Sequence, residues 1–254
     1  MLIDTHSHLN FKDFDKDRTE IIKKTLEGGV FLINVGSDYE SSKKAVEIAS
    51  KYENGVWASI GLHPGDNKKE VFDNQKYKEL AQSKKVVAIG ECGLDFLETT
   101  KEEEKLKQKD LLIEQINLAT ELNLPLILHC RKAHKELIEI LQQQAKANKL
   151  QGVVHCFTGS WEEAYQYMDI GFYLGLNGII FKIDVEQTIK KMSIERMLLE
   201  TDCPFLTPPQ ILEKRNEPIN VKYVAQKIAE IRKENLEKTS ETTFENAKKL
   251  FNLN

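Results

Sequence analysis

Two imidazoles stand two residues apart in Asp4-Thr5-His6-Ser7-His8, directly after the apolar pair Leu2-Ile3. Side chains on a strand alternate between faces, so Asp4, His6 and His8 are expected to point the same way. Two histidines on one face can chelate one metal ion, and a neighbouring acid can orient a ring through its second nitrogen. More metal-competent side chains recur where later apolar runs stop. Glu91 follows Val86-Val87-Ala88-Ile89-Gly90, and His129 follows Leu126-Ile127-Leu128. His155 follows Gly152-Val153-Val154, and Asp202 follows Met197-Leu198-Leu199-Glu200-Thr201. His63 comes after a run over Val56–Ile60. Of the 6 histidines only His134 falls inside a predicted helix, where it is expected at the surface or facing a loop.

A lone histidine at a strand end is usually just hydrogen-bonded; the joint pattern is what points to metal. One zinc-like ion takes about four ligands, with one position open if it is catalytic. His6, His8, Glu91, His129, His155 and Asp202 offer more than that. Two divalent ions sharing a carboxylate are therefore expected, and Glu91 is central in chain order. Two ions roughly 3.5–4 Å apart can stabilise both the attacking and the leaving oxygen of a phosphodiester. Asp202 can bind one ion and accept the proton of the attacking water, which makes Asp202 and Glu91 the candidate catalytic residues. Mixed nitrogen and oxygen ligands suit zinc, manganese, cobalt, nickel or iron better than an all-oxygen magnesium cage, and magnesium stays in the set. His63 and Arg131 are candidate substrate contacts, Arg131 as a fork for phosphate. Asp4 and Glu200 are expected to orient ligands from behind. Asp95 and Asn216 are expected to shape the rim. Phe11, Phe14, Phe157 and Trp161 could stack bases or simply pack.

The elements that must position these residues follow one rhythm. Val30–Val35 is a near-continuous apolar run, the pattern of a strand buried on both faces. Further strands are predicted over 56–60, 86–90, 126–129, 152–155, 172–175 and 197–200. Helices are predicted over 17–27, 38–51, 74–83, 101–122, 133–147, 160–170 and 184–191. Gly28-Gly29 ends the first, and Ser37 or Asp38 can cap the second. About eight strand-then-helix units over 254 residues predict a closed (β/α)8 TIM barrel, with the polar strand ends on one rim. An open doubly wound sheet would carry a Gly-rich turn after its first strand, where this chain has Thr-His-Ser-His. A Pro-rich loop over 204–218 and two helices, about 220–233 and 236–251, complete the chain. No composition shift marks a second domain, so residues 1–254 are expected to form one.

The net charge of −4 and pI of about 6.0 offer no global basic field for nucleic acid. The 4 cysteines are not spaced as a zinc finger. Cys92, Cys130, Cys156 and Cys203 each directly follow a nominated polar residue, so they are expected to face covering helices as small buried hydrophobes. No leader or membrane span is read in the sequence, and the cytoplasm is the expected compartment.

In these motifs the chain resembles the TatD family of metal-dependent hydrolases. The likeness lies in Asp4-Thr5-His6-Ser7-His8, Gly61-Leu62-His63-Pro64, Gly90-Glu91-Cys92-Gly93-Leu94-Asp95, Leu128-His129-Cys130-Arg131, His155-Cys156-Phe157-Thr158-Gly159, Glu200-Thr201-Asp202 and Asn216-Glu217-Pro218. The ordered set spans nearly the whole chain. The resemblance implies a TIM barrel and divalent-metal-dependent deoxyribonuclease activity, in some members a 3′-to-5′ exonuclease. It also implies ligation by His6, His8, Glu91, His129, His155 and Asp202, with Glu91 bridging. Two stretches depart from the family. Phe96-Leu97-Glu98 replaces an aromatic and Arg-containing stretch, and Pro209–Arg215 replaces a His-Arg-Gly turn. The expected partner is DNA, as single strands or frayed ends, with no obligate protein partner. The alternative is an amide or ester hydrolase, such as a D-aminoacyl-tRNA deacylase; a non-catalytic scaffold keeping the site is the third reading.

Overall fold

Apolar runs that stop at polar residues form the strands β1 (Leu2–Ser7), β2 (Val30–Val35), β3 (Val56–Ile60), β4 (Val86–Asp95), β5 (Leu126–Arg131), β6 (Gly152–Val154), β7 (Tyr173–Leu176) and β8 (Met197–Leu199). The helices are α1 (Arg18–Glu27), α2 (Tyr39–Ala49), α3 (Asn74–Leu80), α4 (Glu102–Leu122), α5 (His134–Ala145), α6 (Trp161–Ile170), α7 (Glu186–Lys191), α8 (Val221–Arg232) and α9 (Leu236–Phe251). This computed structural model describes residues 1–66, 70–97, 99–146 and 149–253. Glu98 and the predicted helix end at Ala147 lie outside the described residues.

The strands pair in parallel and in chain order, β1 through β8. The residues around β8 close the ring on β1. Asp202 N donates to His6 O at 2.8 Å, His8 N to Cys203 O at 2.8 Å, and Thr5 Oγ1 to Leu199 O at 3.1 Å. The architecture is the expected (β/α)8 TIM barrel.

Two sets of apolar side chains divide the two faces of the sheet. Val30, Ile60, Ile89, Leu128, Val154, Leu174 and Leu199 pack outward against the helices. Ile3, Ile33, Trp57, Val87, Ile127, Val153, Tyr173 and Leu198, one from each strand, form a separate cluster with Ala247, Leu250, Phe251 and Leu253. The α9 end of the chain therefore closes the bottom of the barrel, opposite the polar strand ends. Helix starts follow local chemistry. Asp38 and Ser160 form capping boxes with Ser41 and Glu163.

β4 runs longer than the sequence suggests. Residues 92–95 are not a loop; Cys92, Gly93, Leu94 and Asp95 pair with Leu128, His129, Cys130 and Arg131. Cys92 and Leu94 pack outward with the helix-facing core, which sustains the strand past Glu91. Among the described residues no helix is long and apolar enough to cross a membrane.

Candidate metal centre

At the C-terminal ends of the strands, β-bulges decide which side chains turn inward. β1 pairs Asp4 with Leu32 and Ser7 with Asn34, so β1 carries one extra residue between them. Leu32 packs on α1 residues Ile21 and Ile22, and Asp4 shares its helix-facing side. The extra residue then turns His6 and His8 into the barrel. Asp4 therefore does not lie on their face, contrary to the two-residue alternation. Its carboxylate accepts from Thr201 N at 2.8 Å, Thr201 Oγ1 at 2.5 Å and His6 N at 3.2 Å, and from neither imidazole ring. Burial raises its carboxyl well above the usual carboxylate range, although the Thr201 hydrogen bonds oppose this. β4 repeats the device: Ile89 pairs with Leu126 and Cys92 with Leu128, and the extra residue aims Glu91 inward.

Glu91 stands at the centre of the assembled group. Its Oε2 lies 3.5 Å from His6 Nε2 and 3.8 Å from His8 Nε2. Its Oε1 lies 3.0 Å from His129 Nδ1, 3.8 Å from His155 Nε2 and 3.6 Å from His63 Nε2. Each carboxylate oxygen thus faces a different set of imidazoles. Asp202 Oδ1 sits at the mouth, 3.4 Å from His8 Nε2 and 3.9 Å from His6 Nε2. Three groups of donor atoms are compact enough to hold an ion: His6, Glu91 and His155; His6, His8 and Asp202; His63, Glu91 and His129. All six candidate ligands, and His63, are brought together.

Outer partners fix three of the rings. His8 Nδ1 meets Val35 O at 2.9 Å, and His155 Nδ1 meets Glu200 Oε2 at 3.0 Å. His129 Nε2 meets Asp95 Oδ2 at 3.2 Å. With those nitrogens donating outward, the inward nitrogens are free to bind a cation. His6 Nε2 and His8 Nε2 approach to 3.2 Å. One N–H between them makes a hydrogen bond, which leaves the buried His6 Nδ1 without a partner, and a shared cation can take that proton's place between the two nitrogens. The donor set fits divalent metal on this ground.

The charges agree. Burial would raise the Glu91 carboxyl, but His63, His129 and His6 outweigh it and hold it well below the usual range. Asp202 behaves alike, with His155 and His8 overcoming burial. Burial and the stacked His155 ring, 3.6 Å away, lower His6. His155 itself resists burial through Glu200, Asp202 and Glu91 and is pushed up to about 10. His129 rises against burial through Asp95 and Glu91. Burial drops His63 to about 4.

Other predicted residues separate. Glu200 touches His155 directly, and a Cβ at Gly175 would overlap its carboxylate. Asp95, expected only to shape the rim, contacts His129. Asn216 ties down the loop after β8, its Nδ2 donating to Thr201 O at 3.1 Å and Phe205 O at 2.9 Å. Arg131 is exposed at the end of β5. Phe14 and Phe157 are buried and offer no stacking surface, whereas Phe11 stacks on His8 at 4.5 Å. Trp161 begins α6, where Lys191 Nζ lies 5.7 Å from its ring centroid. His134 is not a surface residue: it is half-buried, with Nδ1 3.2 Å from Cys130 Sγ and 3.1 Å from Tyr167 OH. Cys92, Cys130 and Cys203 are buried as expected, but Cys156 Sγ donates to Asn177 Oδ1 at 3.5 Å rather than facing a helix. Phe205, 52% exposed beside Phe11, was not among the rings singled out; only its place three residues after Asp202 could have suggested it.

Barrel and site together define a metal-dependent hydrolase, and comparison with known proteins narrows this. The family model for TatD related DNase matches residues 3–252. The chain is 41% identical over 259 residues to an uncharacterized metal-dependent hydrolase, YabD, of Bacillus subtilis, covering 100% of both. It is 33% identical over 263 residues to the 3′-5′ ssDNA/RNA exonuclease TatD of Shigella flexneri, covering 99% of both. The crystal structure of the TatD homolog YJJV from Escherichia coli superposes with a TM-score of 0.90 at 29% identity, over 100% of this chain and 98% of that one. The chain belongs to the TatD family of metal-dependent hydrolases.

Proposed function

We propose that residues 1–254 work as one barrel domain that removes nucleotides from the 3′ end of single-stranded DNA. The observation that carries this reading is Glu91, whose two oxygens face separate sets of imidazoles. Such a carboxylate could serve two divalent ions at once, one that His6, His8 and Asp202 would hold and one that His129 and His155 would hold. Relatives named as 3′-5′ ssDNA/RNA exonucleases support the polarity and the substrate class.

Divalent ions held there would polarise a phosphodiester and activate a water nucleophile. The protein's own groups supply the rest. Asp202, ionised and at the mouth, accepts the proton of the attacking water. His63 accepts a hydrogen bond from Gly65 N on Nδ1 at 3.0 Å, so its Nε2 carries the hydrogen. Neutral at pH 7, His63 donates that hydrogen to a phosphate oxygen. Arg131 grips a neighbouring phosphate as a fork. Glu200, Asp95 and the Val35 carbonyl keep the three imidazoles aimed inward.

The test is hydrolysis of single-stranded oligonucleotides labelled at either end. Metal-stripped protein is re-supplied with Mg²⁺, Mn²⁺ or Zn²⁺ in turn. Stepwise shortening from the 3′ end is expected, with an RNA strand alongside. Shortening from the 5′ end would reverse the polarity. Inertness on every strand by metal-loaded protein would reject the nuclease reading and move the test to aminoacyl-tRNA esters.

A further inference from the structure

Two aromatic rings flank the inward-facing imidazoles at the barrel mouth. Phe11 lies nearly parallel to the His8 ring, with centroids 4.5 Å apart and planes at 11°. Phe205 meets Phe11 at 6.4 Å and 70°. Phe205 stays 52% exposed although it is a large apolar ring. Its backbone is not free to tuck the ring away. Phe205 N donates to Asp202 O at 2.9 Å, and Phe205 O accepts from Asn216 Nδ2 at 2.9 Å. Behind the loop, a Cβ at Gly178 would overlap the Leu206 carbonyl, so the two backbones are in close contact. Leu206 itself adopts a left-handed φ of 51°. The ring is thus held out toward solvent by a pinned backbone, three residues from Asp202.

Charge does not explain what this part of the mouth receives. The trough beside Phe11 is lined by Lys12, Lys43 and Lys44, but also by Asp13, Asp38, Glu40 and Glu47. Its lysines are outnumbered by carboxylates, so it does not select a polyanion. What the mouth offers instead is an exposed aromatic surface. Bases of every identity can stack on such a surface when they are unpaired.

We infer that Phe205, backed by Phe11, is a stacking step for the terminal base of a single strand, next to the bond to be cut. This rests on the nuclease reading above. A base in an intact duplex is already stacked and paired, so the step selects single-stranded or frayed ends. Stacking of one base on an aromatic ring is worth roughly 5- to 150-fold in affinity.

The experiment compares kcat/KM for two oligonucleotides, identical except that one ends in a natural 3′ nucleotide and the other in an abasic one. Metal-loaded wild type, Phe205→Ala, Phe205→Tyr and Leu212→Ala are measured, each with its metal content. Wild type should prefer the natural end by roughly 5- to 150-fold. Phe205→Ala should bring the preference close to one, chiefly through KM, and Phe205→Tyr should restore it. Leu212, 96% exposed on the same loop, should be replaceable by alanine with the preference kept. A wild-type preference that survives in Phe205→Ala, or no preference in wild type, overturns the stacking step and leaves the nuclease reading standing. Wild type inert on both ends overturns the nuclease reading and the step with it.

Discussion

Asp202 joins three demands in one side chain: it must stay ionised, face His6 and His8, and reach the mouth. Replacing Asp202 with asparagine keeps its volume but removes the proposed proton acceptor. Turnover should fall by about 10²–10⁴-fold with the melting temperature nearly unchanged; wild-type turnover in Asp202→Asn would remove it from the chemistry. His155 makes a separate prediction about metal uptake. In the metal-free protein its imidazole is pushed up to about 10, because Glu200 and Asp202 outweigh burial. Its raised value means that the proton is present at neutral pH and must leave before the ring can ligate. Apparent metal affinity should therefore rise with pH, by about tenfold per unit below that value for one displaced proton. Calorimetric titrations of metal-stripped protein at several pH values check this, and a pH-independent affinity contradicts it.

At the scale of elements, bulges and glycines aim the side chains. Gly93, at φ +140°, lies so close to β5 that a Cβ would overlap the His129 backbone carbonyl. Gly93→Ala should destabilise the protein by about 2 kcal/mol or more, through backbone strain and overpacking, and lower its metal content. A variant with unchanged melting temperature and metal content would show that β4 and β5 tolerate separation. These devices also mark where the sequence stops being legible. Polar residues after apolar runs located His6, His8, Glu91, His129, His155 and Asp202, because barrel strands end on one rim. Strict alternation misplaced Asp4, because nothing in Leu2–Ser7 announces the extra residue. The end of β4 escapes the sequence for a related reason: Gly93 reads as a loop residue, yet Cys92 and Leu94 still pack outward. Asp95 and Phe205 take their importance from residues far along the chain, and no local pattern reports such distances.

Across the whole molecule the barrel separates stability from chemistry. Its lower interior is sealed by α9 and the residues after it, while every candidate ligand lies at the opposite end. Phe251, buried in that seal, should cost about 3–5 kcal/mol when replaced by alanine. Turnover per folded molecule should be retained, as activity assays below the lowered melting temperature would register. Loss of turnover without loss of stability would couple the two ends of the barrel. The same separation lets the mouth loops differ from the family at residues 96–97 and 209–215 while the inward-facing set stays complete. We propose Glu91 as the bridge between two divalent ions. Its most direct measurement is anomalous diffraction from crystals of the manganese-loaded protein. Two peaks roughly 3.5–4 Å apart, one beside each Glu91 oxygen, are expected. A single peak, or two that leave Glu91 unligated, would contradict it.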